Sequence, residues 1–235
     1  MRTILISGAN RGIGLKIAHK LLKEGNRVSI GIRNLSSISN GILDPKEWSP
    51  NQLLINHYDA LEINTAKKWI DNTKEKFGSF DSLINCAGVF SRIPFLYEDS
   101  ERNEIIKTMN INFLSIWDLC RLSWEELVSS KNGRILTLVS MSGKRSKGDL
   151  AAYTSSKFAL MGLCQTIRNN GWDKNIRLTV ICPSWVNTDM AKEVKSTNKF
   201  DMTQPEDIAE FCSTILKMPK QSVPFEISLN CNLEV

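Results

Sequence analysis

The stretch Ser7-Gly8-Ala9-Asn10-Arg11-Gly12-Ile13-Gly14 decides how this chain is read. It follows the short apolar run Ile4-Leu5-Ile6 and opens a helix-period stripe of Ile13, Ile17, Ala18, Leu21 and Leu22, which Gly25 ends. Strand, glycine-rich turn and helix in that order make the first half of a βαβ unit. Glycines at Gly8, Gly12 and Gly14 permit a tight turn and let the backbone approach a pyrophosphate. The helix N-terminus adds unpaired N–H groups and a partial positive charge. The spacing is GxxxGxG rather than GxGxxG, and three glycines alone would equally serve a plain strand-to-helix turn.

Outward from that turn, short apolar runs alternate with amphipathic stretches. Strands are expected at 3–7, 27–32, 52–58, 81–86, 133–139, 176–182 and 225–231. A second helical stripe, Ala66, Trp69, Ile70, Thr73 and Phe77, ends at Gly78, and further helices are expected at about 101–130, 150–171 and 205–217. Near-continuously apolar strands separated by helices call for a parallel sheet covered on both faces. Right-handed crossovers then make the economical α/β topology a doubly wound, mostly parallel seven-stranded Rossmann sheet, with 1–235 as one domain. Residues 34–51 read as a loop with at most a short helix, and the polar segment 189–204 as a flap.

Composition narrows the function classes. With 42% hydrophobic and 23% charged residues, a folded core is expected rather than disorder. No apolar run approaches the ~18 residues of a membrane span, and the first strand begins too close to Met1 to leave room for a leader, so a cytoplasmic protein is expected. The six cysteines, at 86, 120, 164, 182, 212 and 231, make no CxxC or CxxH pair, and His19 and His57 are the two histidines. A disulfide framework or a metal site is disfavoured. The net charge of +5 is scattered over 30 basic and 25 acidic residues without a basic stripe, which argues against a nucleic-acid partner.

The second strand selects the coenzyme. An acidic residue at its tip would hold the ribose 2′-OH of NAD, but Val28-Ser29-Ile30-Gly31-Ile32-Arg33 offers none. The Arg33 fork suits a 2′-phosphate, with Arg11 able to close on it, so NADP(H) is expected. Tyr153 and Lys157 stand four apart in a helix-period segment and so share one face. A cation beside a phenol, together with an oxidised nicotinamide, favours the phenolate. Ser140 lies 13 residues upstream of Tyr153 at a strand end. Each alone has a bland reading: a surface arginine, a tyrosine beside a lysine, a strand-end serine. Their conjunction in one α/β chain carries the weight.

Together these residues resemble the short-chain dehydrogenases/reductases of the compact, single-domain type, from about Thr3 to Met190. SGANRGIG is similar to the family's TGxxxGIG turn, with Ser7 for the usual Thr. Asn85-Cys86-Ala87-Gly88 resembles its NNAG motif, with Cys86 for the second Asn, and Pro183-Ser184-Trp185-Val186-Asn187-Thr188 resembles PGxxxT, with Ser184 for Gly. The resemblance implies a tetrad of Asn112, Ser140, Tyr153 and Lys157, Asn110 being the less apt asparagine. It also implies a cofactor set of Gly8, Arg11, Gly12, Ile13, Gly14, Arg33, Asp59, Asn85, Ala87, Gly88, Tyr153, Lys157, Val186 and Thr188. In that reading Ser140 positions a carbonyl oxygen and Tyr153 exchanges its proton. Lys157 holds the nicotinamide ribose, and Asn112 keeps a water in line with Lys157.

The resemblance further implies a small-molecule carbonyl or alcohol substrate. It also implies a homodimer or tetramer built on the 101–130 and 150–171 helices, whose apolar residues lie on several faces. The chain ends without the Gly-Gly that often closes such proteins. Two alternatives are an epimerase or dehydratase of the extended branch, which would need a larger substrate domain, and a non-catalytic NADP(H)-binding sensor, which would not need the whole tetrad. The substrate pocket is expected along Val89–Leu96, 141–150, Trp185 and 189–204. Lys144, Arg145 and Lys147 could draw an anionic substrate there, although a solvated loop is the plainer reading.

Overall fold

The computed structural model describes residues 1–38, 41–146, 148–192, 194 and 197–231. Its strands are β1 (Thr3–Ser7), β2 (Arg27–Ile32), β3 (Leu53–His57), β4 (Ser82–Asn85), β5 (Arg134–Leu138), β6 (Arg177–Pro183) and β7 (Glu226–Leu229). They form one seven-stranded sheet in the order β3-β2-β1-β4-β5-β6-β7, every pairing parallel. The order reverses between β1 and β4, so the loops leaving those two strands part and open a crevice at their carboxyl ends.

Helices α1 (Gly12–Lys23) and α7 (Pro205–Lys217) cover one face of the sheet. The other face carries α2 (Ile63–Phe77), α3 (Arg102–Met109), α4 (Ser115–Leu122), α5 (Trp124–Ser129) and α6 (Ala151–Gly171). Apolar strand residues pointing both ways feed two cores. Ile4, Ile6, Ile30 and Ile181 pack with Ile17, Leu21 and Ile208, while Leu5, Leu83 and Ile135 pack with Trp69, Leu119 and Leu160. Polar and small residues inside β2 have a local cause. Trp69 donates its indole N–H to Ser29 Oγ at 2.9 Å, and a Cβ on Gly31 would come within 2.6 Å of the Trp69 ring.

At the amino ends of the strands, arginines cap backbone carbonyls. Arg2 donates to Leu216 O, Arg134 to Met218 O and Arg177 to Lys220 O, at 2.9, 3.0 and 2.9 Å, tying the sheet to the end of α7 and the turn beyond it. The reactive groups collect at the opposite end.

The helix expected at 101–130 is interrupted. A π-helical turn, Asn110–Leu114, separates α3 from α4, and Ser123 separates α4 from α5. The 34–51 segment contains two short 3-10 turns, Leu35–Ile38 and Pro45–Glu47, with residues 39 and 40 outside the described residues. Trp48 folds this segment onto α1, meeting His19 edge-on at 6.0 Å. Among the described residues, no helix is long and apolar enough to cross a membrane.

Candidate active site

The turn after β1 is shaped by two close approaches. Gly8 has φ +70°, and a Cβ there would stand 2.8 Å from Ala87 Cα. A Cβ on Gly14 would stand 2.5 Å from the Gly8 carbonyl, so α1 can begin this near the strand only with glycine at that position. Ser7, at the end of β1, accepts the backbone N–H groups of Cys86 and Ala87 at 3.1 and 3.2 Å. It thereby fastens the two strand ends that flank the crevice, a role its place in the motif did not reveal. Arg11 precedes the first turn of α1 without capping it by its side chain, and that turn contains no Asp or Glu. Its leading N–H groups therefore meet the crevice with no internal carboxylate.

The expected cofactor residues are distributed unevenly. Ile13, Gly88, Val186, Thr188, Ser140, Tyr153 and Lys157 line one cleft of about 160 Å3. Arg33 lies exposed at the tip of β2, and its carbonyl meets His57 Nδ1 at 3.0 Å. Arg11 pairs with Asp189 at 3.6 Å, both side chains largely exposed, and Lys192 followed by Arg11 holds that carboxyl below its ordinary value. The Asp59 carboxylate accepts from Leu61 N at 2.9 Å within its own turn. Asn85 is fully buried and donates to Thr137 Oγ1 at 3.2 Å, so its side chain serves the sheet interior rather than the cleft wall.

Three of the tetrad meet in the cleft. Ser140 follows β5 with φ +113°, a left-handed conformation that costs a non-glycine residue about 1–3 kcal/mol. The surroundings enforce it. The next residues wind into the 3-10 turn Met141–Gly143, where a Cβ on Gly143 would stand 2.5 Å from a Val139 methyl and 2.9 Å from the Lys157 carbonyl. Ser140 and the Tyr153 phenol line the same cleft. Burial pushes that phenol above its ordinary value, and Ser140 works against the rise.

Lys157 stands beside this pair rather than on the phenol. The ammonium lies 5.7 Å from the centre of the Tyr153 ring and donates to the Leu138 carbonyl at 3.1 Å. Burial lowers Lys157 itself to about 8.

Asn112 sits in the π-turn and is fully buried. It accepts from Val89 N at 2.9 Å and donates to Val89 O at 2.9 Å and to Ser156 Oγ at 3.1 Å. Ser156 in turn donates to the Tyr153 carbonyl at 2.7 Å. Both amide donors are thus committed to fixing the loop after β4 against α6. The roles of Ser156 and Val89 were missed; a serine three residues past the tyrosine was the available signal.

A dinucleotide fits these residues. The glycines of the turn leave backbone where a Cβ would collide, the α1 N-terminus has no internal anion, and the cleft leads from that turn to the serine–tyrosine pair. A seven-stranded parallel sheet with this turn at its switch point defines a nucleotide-binding α/β protein. A family model for short chain dehydrogenase matches residues 2–199, and the chain belongs to that family of nicotinamide-dependent oxidoreductases.

Agropine synthesis reductase of Rhizobium rhizogenes is 33% identical over 219 residues, covering 93% of this chain and 50% of the relative. The 3-oxoacyl-(acyl-carrier-protein) reductase of Escherichia coli is 28% identical over 196 residues, covering 83% of this chain and 78% of that protein. The chain thus spans about half the length of the agropine synthesis reductase it matches. Among solved structures, the Thermococcus sibiricus alcohol dehydrogenase complexed with 5-hydroxy-NADP superposes with TM-score 0.82 at 24% identity, over 97% of this chain and 96% of that one. Actinorhodin polyketide ketoreductase with NADPH gives TM-score 0.84 at 20% identity, over 97% and 95%.

Proposed function

We propose that the protein is an NADP(H)-dependent oxidoreductase that interconverts a carbonyl and an alcohol, with Tyr153 as general acid and base. The observation that carries this reading is that Ser140, Tyr153 and Lys157 line one cleft together with Ile13 of the glycine turn. The nicotinamide supplies hydride to the carbonyl carbon, or takes it back from the alcohol. Ser140 donates to the carbonyl oxygen and orients it. Tyr153 gives its proton to that oxygen as the C–O double bond becomes single, and recovers one in the reverse direction. Lys157 holds the ribose hydroxyls and keeps positive charge near the phenolate, opposing the effect of burial on Tyr153. Asn112 fixes Val89 and Ser156 beside the cleft.

NADP(H) is preferred to NAD(H) in this reading because no carboxylate closes the tip of β2, while Arg33 and Arg11 can pair with a 2′-phosphate. Solved neighbours in complex with 5-hydroxy-NADP and with NADPH support the same choice. The proposal takes 1–235 as one domain with 189–204 as a substrate flap. It also takes the active form to be a homodimer or homotetramer.

The test is NADPH consumption against a panel of aldehydes, ketones and quinones. Turnover of one of them, lost in Tyr153→Phe, is expected. Tight NADPH binding with no turnover across the panel would make the protein a cofactor-binding sensor and overturn the enzyme reading.

A further inference from the structure

Ser140 caps the 3-10 turn Met141–Gly143, and its Oγ accepts the backbone N–H of Ser142 at 3.1 Å. The turn that presents this N–H is held from several sides. Gly143 N donates to the Ser140 carbonyl at 3.0 Å, and Lys144 N to the Met141 carbonyl at 2.9 Å. Gly143 is pressed against Val139 and the Lys157 carbonyl, so the turn has no room to shift. The Lys144 ammonium is held by Glu226 and by Ser228 Oγ, which anchors the far end of the turn to β7; Lys147 lies outside the described residues.

A serine hydroxyl carries one hydrogen and two lone pairs. The Ser142 N–H occupies one lone pair of Ser140, which pins the side chain at one place on the cleft wall and leaves its hydrogen to be donated. A hydroxyl that accepts a hydrogen bond is polarised by it, and the bond it donates is strengthened. Ser140, Ser142 and Tyr153 line the same cleft, so the strengthened donor faces the space that holds the substrate.

We infer that Ser142 is a positioning residue for the reaction: its backbone N–H fixes and polarises Ser140, so that the Ser140 hydroxyl donates to the oxygen of the substrate. Ser142 acts through Ser140, and the role belongs to its main chain, so the identity of its side chain does not reveal it. This deepens the proposed oxidoreductase reading and rests on it. Proline is the substitution that addresses the main chain. It removes the N–H, and the first turn of a helix accepts its φ because the N–H groups there meet no carbonyl of the helix.

The experiment is a double-mutant cycle read by the single-turnover rate of NADPH oxidation. Its probe is the fastest compound of the aldehyde, ketone and quinone panel, 4-nitrobenzaldehyde included. Ser142→Pro is compared with Ser142→Ala, which keeps the N–H, once with Ser140 present and once in Ser140→Ala. With Ser140 present, proline should slow the rate about fivefold or more relative to alanine, as the loss of one hydrogen bond would give. In Ser140→Ala the two should agree within about twofold, with NADP+ affinity retained throughout. Equal losses in both backgrounds, or no loss with Ser140 present, overturn the inference. A second measurement needs no proline. Exchange of the Ser142 amide hydrogen, followed by NMR, should accelerate about fivefold or more in Ser140→Ala, and an unchanged rate overturns the inference equally. Absence of turnover in the wild type across the panel sinks the oxidoreductase reading, whereas additive losses in a working enzyme sink the inference alone.

Discussion

Lys157 donates to the Leu138 carbonyl at 3.1 Å while its ammonium stands 5.7 Å from the centre of the Tyr153 ring. The lysine is thus anchored to the end of β5 rather than to the phenol. It is a cation stored in the protein interior, ready to serve a ligand and costly to keep.

That cost can be measured. Burial lowers Lys157 from the ordinary 10.5 to about 8. Below the folded value both folded and unfolded chains hold the proton and the whole penalty is present. It shrinks as pH rises from about 8 towards 10.5, where only the unfolded chain remains protonated. Lys157→Met should therefore abolish turnover yet raise Tm at pH 7. The gap corresponds to roughly 3 kcal/mol before the lost bond to Leu138 is deducted, or several degrees in a chain of this size. Scanning calorimetry at pH 7 and pH 9.5 checks it: the gain should be larger at the lower pH, and a drop in Tm at pH 7 would contradict it.

Tyr153→Phe preserves the ring and its edge contact with Phe90 but removes the proposed proton donor. Turnover should fall by about 10²–10⁴-fold, with NADPH binding nearly unchanged. Because burial raises this phenol, alcohol oxidation, which needs the phenolate, should climb with pH, while carbonyl reduction should hold at neutral pH. pH profiles in both directions decide; most of the activity surviving in Tyr153→Phe would remove the residue from its role.

The wild type should bind NADPH more tightly than NADH in fluorescence titration. Replacing Ile32 with Asp and Arg33 with Ala adds the missing carboxylate at the tip of β2 and removes the fork, and should invert or erase the preference. NADH binding as tight as NADPH in the wild type would refute the coenzyme assignment.

Ile106, Leu114 and Trp117 along α3–α4 and Phe158 on α6 are each 42–48% exposed, an apolar band that a lone subunit would leave in water. Light scattering at micromolar concentration should give a dimer or tetramer. Trp117→Glu combined with Phe158→Glu should shift it to the monomer, and a monomeric wild type would overturn the assembly.

The sheet was legible because its signal is redundant. Every strand is a short apolar run flanked by turn residues, and all seven observed strands fall within the expected ranges, to within a residue at the end of β6. Tyr153 and Lys157 were expected on one helix face from their spacing and both line the cleft, whereas Ser140 and Asn112 come from other elements. What stayed hidden depends on contacts between elements. The π-turn shifts helical phase by one residue without altering composition, so 101–130 reads as one helix. Asn85 looks like a crevice residue from its place after β4, but its amide bonds Thr137 across the sheet. The rise of the Tyr153 phenol follows from burial, which spacing along a helix does not reveal.

The turn Asn110–Leu114 makes the number of residues there matter more than their identity. Removing any one of them would leave a regular helix of ordinary hydrophobicity running straight from α3 into α4. A π-turn takes up one residue more than an α-turn, so such a deletion would keep α3 and α4 in phase and remove only the widened turn between them. Asn112 would leave Val89 and Ser156, while the outward band at Ile106 would still line up with Trp117. A drift in length at this one place, conservative by every measure of composition, would thus loosen the crevice and leave the outer surface untouched. Substitutions on either helix would not do the same.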